Sequence, residues 1–420
     1  LVPALQSTRP QLAPTLKDQA SNVVGGTAVA LRKSLVVAQV ALSLLLLVGA
    51  GLFVQSLRNL KELHPGFETD RLITFQVEPT LTGAKRTAVI SYYRQLLDRL
   101  RATPGVASAS TAVMSLLDGN EWDSWVTIEG YTARPDERPD PHMQFISPQF
   151  FESMGIPILH GRDFNEKDEA NAPKVAIVNA KFAKKYFGNS DPVGRHIGMG
   201  NDPGTKTDIQ IVAVAGDTKY EDLRTPIPEE VYQPYDQQEF SLGVNLYLRT
   251  RGDPAEMFNT VRRVVREVDP SVPMYDMKTL TAQVDNSLLT ERLMAMLSAV
   301  FGALATLLAA MGLYGVMAYV VSRRTREIGI RMALGANRHS VVWLVMREVL
   351  VLAAIGVTIG LGTAWAVTRL VASQLYEVQP SDPVTLIVAT IGIAAVAAFA
   401  GYMPASRATA IDPTKALRFE

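Results

Sequence analysis

Four apolar runs, one near the start and three crowded behind residue 290, constrain this chain more than any other feature. They cover approximately residues 34–56, 293–321, 349–371 and 384–403. A helix needs about 20 mainly apolar residues to cross the hydrocarbon core of a bilayer, and each run meets that length. Between Ser34 and Gln55 the first is interrupted only by Gln39 and Ser43. It is longer than the apolar region of a secretory signal, so an uncleaved anchor is expected. The three later runs show no continuous charged face, which a helix packed in a water-soluble core would carry. Between the first and second runs, residues 57–290 are polar and rich in Pro, Gly and charge. The expected fold is therefore integral membrane and α-helical, with four transmembrane helices arranged one plus three and a large α+β domain between the first and second.

Orientation follows from where Lys and Arg collect beside the spans. Arg32 and Lys33 precede the first; Arg323, Arg324, Arg326, Arg331 and Arg338 lie between the second and third; Arg407, Lys415 and Arg418 follow the fourth. The short link between the third and fourth carries Glu377 and Asp382 instead. This bias predicts both termini and the Arg-rich loop in the cytoplasm, with the large domain outside, in the periplasm of a bacterial inner membrane. The 41 basic residues balance 41 acidic ones, which gives no reason to expect a nucleic-acid partner. Cysteine is absent, so the external domain must hold together by its own core, which its length allows. His64, His142, His160, His196 and His339 are scattered without ligand spacing, and neither a metal site nor a cofactor is expected. Asp163 and Glu166 invite an acid–base reading, but no nucleophile or pKa-shifting neighbour is visible beside them. They read as solvated loop charge, leaving no catalytic residue.

The external domain repeats a pattern. Residues 72–77 alternate as a strand, 88–102 carry Ile90, Tyr93, Leu97 and Leu100 at helical spacing, and 106–113 resume strand character after Thr103-Pro104-Gly105. The same order returns at 244–248, at 255–268 with Val261, Val264, Val265 and Val268 on one face, and at 272–275. Two strand-helix-strand units thus bracket the domain, with an inserted lobe expected at about 117–240. Inside it, 125–129, 142–146, 174–178 and 209–214 read as strands, while 148–154 and 180–186 read as helices.

The loop 323–336 is the most specific local signal, because Ile328, Met332 and Leu334 are interleaved with Arg324, Arg326, Glu327 and Arg331. That pattern predicts a short amphipathic helix ending near Gly335, able to dock in a partner's groove or to lie on membrane lipids. The plainer alternative is that these arginines only enforce topology. In the third span, Gly356 and Gly360 form a small-xxx-small pattern suited to close helix packing.

The run 325–336, Thr-Arg-Glu-Ile-Gly-Ile-Arg-Met-Ala-Leu-Gly-Ala, and the tail 404–418, Pro-Ala-Ser-Arg-Ala-Thr-Ala-Ile-Asp-Pro-Thr-Lys-Ala-Leu-Arg, resemble the permease subunits of MacB/FtsX-type ABC transporters. Within the external domain, Phe150-Phe151-Glu152-Ser153-Met154-Gly155-Ile156-Pro157 and Gly161-Arg162-Asp163-Phe164 are similar to that family's periplasmic core domain. The resemblance spans nearly the whole chain. It implies an ABC ATPase subunit docking on Arg324, Arg326, Glu327, Ile328, Gly329, Arg331, Leu334 and Gly335, and a second permease unit as tandem half or homodimer. A periplasmic adaptor or outer-membrane channel is a further partner it allows. Residues 3–17 echo 404–418 without gaps, so residues 1–33 are expected to be a cytoplasmic segment, its first twenty residues the tail of a preceding permease unit. Residues 291–420 are expected to form the FtsX-like permease domain. No G-x-x-x-x-G-K-[ST] sequence occurs, so ATP hydrolysis is assigned to a partner and this chain to the coupling of hydrolysis with motion of the external domain. Two roles suit that coupling: efflux of a drug, peptide or lipid-linked cargo, or activation of a periplasmic cell-wall hydrolase without transport.

Overall fold

A computed structural model describes residues 21–408, apart from 133, 135–136, 241, 334–336 and 380–381; the side chains of 21–28, 326, 329, 332–333 and 408 also lie outside the description. The expected tail of a preceding unit, residues 1–20, is outside it too. The chain forms two compact units, an α+β unit spanning Leu60–Thr290 and a helical unit built from the segments on either side.

In the α+β unit the chain order begins, after helix α1 (Ser21–Glu62), with β1 (Leu72–Val77), α2 (Arg86–Arg101), β2 (Val106–Ala112), β3 (Val126–Ile128) and β4 (His142–Ile146). It continues through α3 (Phe150–Met154), β5 (Ile158–Gly161), β6 (Val175–Asn179), α4 (Ala180–Phe187), β7 (His196–Met199), β8 (Ile209–Ala215) and β9 (Glu230–Pro234). It closes with β10 (Val244–Thr250), α5 (Pro254–Val268), β11 (Met274–Thr279) and α6 (Leu280–Ser287).

The repeated strand-helix-strand units do not sit side by side; they interleave. The strand order β11-β1-β10-β2 places one strand of each unit between the two strands of the other, with every neighbouring pair antiparallel. This is the split βαβ, or ferredoxin-like, arrangement. A βαβ connection leaves a gap one strand wide between its parallel strands, and each unit fills the other's gap. Helix α2 buries Val89, Tyr92, Tyr93, Leu96, Leu97 and Leu100, a spacing of three and four that makes one face. Helix α5 starts on the Asp253 cap, whose side chain accepts from the Ala255 amide, and buries Val261, Val264 and Val265 in the same core.

The sheet runs on as β4-β9-β6-β8-β7-β3, with β5 paired to β8. Strands β4 and β9, and β6 and β8, run parallel; the other pairs in this part are antiparallel. The two parts meet at β2 and β4, whose registered pairing is the single pair Ala112 and Ile146. Side chains of α2 reinforce this thin joint. Arg101 donates to the carbonyls of Ala109 and Pro148, Arg86 to that of Asp236, and Arg94 to the Asp236 carboxylate. Between the parts lies a cleft of about 280 Å³ whose lining includes Tyr93, Arg94, Arg101, Glu166, Tyr235 and Asp236.

Strands β5, β7 and β9 and helix α6 are not foreshadowed by periodicity. Strand β9 shows why, because it opens on Glu230 and closes on Pro234 yet is buried throughout. Glu230 is fully buried, with Thr218 and Tyr232 hydroxyls donating to its carboxylate. Burial pushes its pKa up to about 8, against the opposing effect of those two hydroxyls.

The helical unit contains most of α1 together with α7 (Leu289–Arg323), α8 (Thr325–Ala333), α9 (Arg338–Leu370) and α10 (Pro383–Ala408). The long helices α1, α7, α9 and α10 are each long and apolar enough to cross a membrane. Helix α1 is the hub of this unit: Val40, Leu44, Val48 and Leu52 are inaccessible to solvent. Helix α7, by contrast, exposes Leu293, Met296, Leu297, Phe301, Leu304 and Leu308.

Glu230 sets a pH dependence. Between the ordinary glutamate range and about pH 8 the folded chain keeps a proton that the unfolded chain has released, so stability falls as pH rises through that window. Thermal unfolding of the Glu230→Gln variant in detergent is expected to lose most of this slope and to occur several degrees higher than in the parent at pH 9. Parallel pH profiles for the two proteins would refute the assignment.

Candidate docking site between helices α7 and α9

The turn from α7 into α8 is built from backbone and hydroxyl bonds. The Arg324 amide donates to the carbonyls of Val320 and Val321, the Thr325 hydroxyl to those of Val321 and Ser322, and the Ile328 amide to that of Arg324. After Ala333 the chain re-enters a helix at Asn337, whose side-chain oxygen caps α9 through the His339 amide. Short amphipathic pieces of this kind need an anchor, and Ile328 supplies it. At 5% exposure it joins the core made by Val320, Val321, Val341 and Val345.

Around that anchor the expected docking residues separate by face. Glu327, Ile330 and Arg331 are exposed, and Arg331 pairs with Glu327 one turn back at 2.6 Å. An exposed i,i+4 pair is worth only about 0.3–0.5 kcal/mol, so it orders the surface without committing either charge. Arg324 turns the other way, to Glu348 on α9 at 3.8 Å. Arg326 and Gly329 lie within α8, their side chains outside the description; Leu334 and Gly335 lie outside the described residues altogether. Glu348 was not anticipated from sequence. The one available signal is a carboxylate placed beside an apolar run whose flanks are otherwise basic.

The glycines of α9 meet α1. A Cβ built on Gly356 would lie 2.7 Å from the Val40 side chain and 3.1 Å from the Val37 carbonyl; one on Gly360 would lie 3.0 Å from the Ala41 carbonyl. Similar notches occur on α7, where a Cβ on Gly302 would approach the Leu47 side chain to 3.3 Å and one on Gly312 would collide with Gln39. At the opposite end of α1, Asn59 donates to the Tyr376 and Glu377 carbonyls and the Ser56 hydroxyl accepts from the Tyr376 amide. The link between α9 and α10 is thereby hooked to α1.

In the α+β unit, one expectation needs correcting. Burial pushes the Asp163 carboxyl up to about 6, with Glu152 and Asp168 adding to the rise and the Phe164 amide opposing it. The Asp163 side chain is half-buried and accepts from the Phe164 amide at 2.6 Å, so it is not a fully solvated loop acid. Its neighbour Arg162 holds Asp168 through two bonds of 2.7 and 2.8 Å. Glu166 lines the cleft described above. Among the described residues, no three His, Asp or Glu side chains converge as a metal site requires.

Comparison with known proteins decides the family. Residues 34–268 match the MacB-like periplasmic core domain, and residues 299–413 match the FtsX-like permease C-terminal domain. The chain belongs to the MacB/FtsX-type family of ABC transporter permeases. Among its relatives, the pyoverdine export ATP-binding/permease protein PvdT of Pseudomonas syringae is 26% identical over 279 residues, covering 63% of this chain and 40% of that protein. The uncharacterized ABC transporter permease YknZ of Bacillus subtilis is 24% identical over 368 residues, covering 82% of this chain and 88% of that protein. The permease thus spans well under half the length of PvdT but most of YknZ. Among solved structures, the periplasmic region of MacB from Actinobacillus actinomycetemcomitans aligns with TM-score 0.36 and 11% identity over 53% of this chain and 95% of that one.

The glycine notches of α9 carry a direct test. Gly356→Leu and Gly360→Leu are each expected to lower the unfolding temperature in detergent by several degrees, since the added side chain must separate α9 from α1. Gly362→Leu, whose Cβ would meet nothing within 4 Å, is the control and is expected to leave it unchanged.

Proposed function

We propose that this permease couples ATP hydrolysis by a separate ABC ATPase subunit to movement of its α+β domain, and that α8 is where the subunit docks. The observation that carries this reading is the division of faces on α8, with Ile328 anchored in the helical core while Glu327, Ile330 and Arg331 face outward. A loop whose arginines merely set topology needs neither a buried anchor nor an ordered outer face. A docking helix needs both, since force applied to its outer face must reach the bundle.

The Lys and Arg bias beside the spans supports an orientation with α8 and both ends of the chain in the cytoplasm and the α+β domain outside a bacterial inner membrane. The chain passes between its two units twice, and both crossings fall within helices, α1 and α7. A continuous helix transmits displacement better than a loop, so α1 and α7 serve as the stalk. The exposed apolar face of α7 suits hydrocarbon or a second permease unit, supplied by a tandem half or by a homodimer. Export is the direction named for PvdT, and we assign this permease to efflux of a drug, peptide or lipid-linked cargo.

Capture of the cognate ATPase subunit from membranes tests the docking assignment. Glu327→Lys and Ile330→Glu, which change only the outer face, are each expected to reduce recovery of the subunit roughly tenfold, a loss of about 1.4 kcal/mol. Recovery equal to the parent's in both variants would remove α8 as the docking site.

A further inference from the structure

Glu348 gathers cations from two separate elements at the end of the bundle that carries α8. Its carboxylate pairs with Lys33 on α1 and, at 3.8 Å, with Arg324, the residue that joins α7 to α8. The Glu348 side chain is only 19% exposed, and the next residue, Val349, is completely buried in the helical core. A carboxylate in such a place costs several kcal/mol unless it is paired. Here it is paired twice. Among the described residues, Arg32 and Arg323 are engaged elsewhere, over the Tyr319 ring at 4.5 and 5.6 Å, and Arg407 donates to the Tyr314 hydroxyl at 2.9 Å. Arg347, the neighbour of Glu348 on α9, is exposed.

We propose that Glu348 is a positioning residue that locks the start of α8 to the base of α1, so that displacement of α8 is passed directly to α1. This inference rests on reading α8 as the docking helix. The geometry assigns the two arms distinct tasks. The Arg324 arm fixes the angle at which α8 leaves α7. The Lys33 arm carries that angle to α1, which the glycines of α9 and α7 hold at the centre of the bundle. Without the shared carboxylate, Lys33 and Arg324 become two uncompensated cations at one spot, and the α7–α8 turn is free to swing on its backbone bonds.

The chain has no cysteine, so introduced cysteines at exposed Ala30 and Ile330 can carry spin labels for distance measurement in lipid nanodiscs. Glu348→Gln is expected to broaden the distance distribution by several ångström. Glu348→Asp, and the triple reversal Lys33→Glu, Arg324→Glu, Glu348→Lys, are expected to keep the parental distribution. In unlabelled protein, Glu348→Gln should still capture the ATPase subunit while stimulation of its ATP hydrolysis falls roughly tenfold, within the usual range of coupling free energies. A Glu348→Gln distribution that coincides with the parent's would overturn the proposal. If Glu348→Gln does not reach the membrane, the triple reversal decides: restored insertion with the parental distance supports the lock, and failure to restore either refutes it. If even the parent captures no ATPase subunit, the docking reading fails, while the distance measurement still tests the lock.

Discussion

Close approach of neighbouring backbones to α1 is the constraint on which the helical unit depends. Lipid tails are as apolar as leucine, so a membrane helix gains nothing by hiding from them and depends chiefly on van der Waals packing, with interhelical hydrogen bonds as a second contribution. That packing is strong only where side chains are absent from the partner. Gly356 and Gly360 on α9, with Gly302 and Gly312 on α7, are such places, and each faces α1. A lone first helix, separated from the others by the whole α+β domain in sequence, thereby becomes their common core.

Helix α8 inherits its position from this arrangement. Ile328 is buried among residues of α7 and α9, and those helices are themselves placed by α1. Polar contacts add direction to what packing supplies. Glu348 links α1, α9 and the α7–α8 turn through ion pairs, and the hydroxyl of Ser56 and amide of Asn59 tie the α9–α10 link to the far end of α1. Apolar contact tolerates sliding, whereas a paired carboxylate does not, and these polar contacts occur at the edges of the apolar runs rather than at their centres.

The α+β unit solves a different problem. With no cysteine it has no disulfide to rely on, and its stability comes from one sheet covered by α2 and α5 and extended by a second group of strands. The two groups share little backbone pairing, only the register pair of Ala112 with Ile146. Arg86, Arg94 and Arg101 bridge them from one helix by hydrogen bonds to carbonyls and to Asp236. Side chains rather than a continuous ladder therefore set how the two groups meet.

Sequence alone determined the one-plus-three pattern of spans, the two strand-helix-strand units and the short helix after α7. Each of these rests on local periodicity or run length, which a single segment displays without its partners. Only the tertiary structure decided that the two units interleave, because strand order depends on pairing across more than a hundred residues. Strand β9 was illegible for a related reason: Glu230 and Pro234 look unlike a buried strand until Thr218 and Tyr232 are seen to satisfy the carboxylate. Glu348 is the same case in the helical unit. Its neighbours in sequence mark it as an ordinary end-of-span charge, and only folding brings Lys33 and Arg324, each from a different element, onto its one carboxylate.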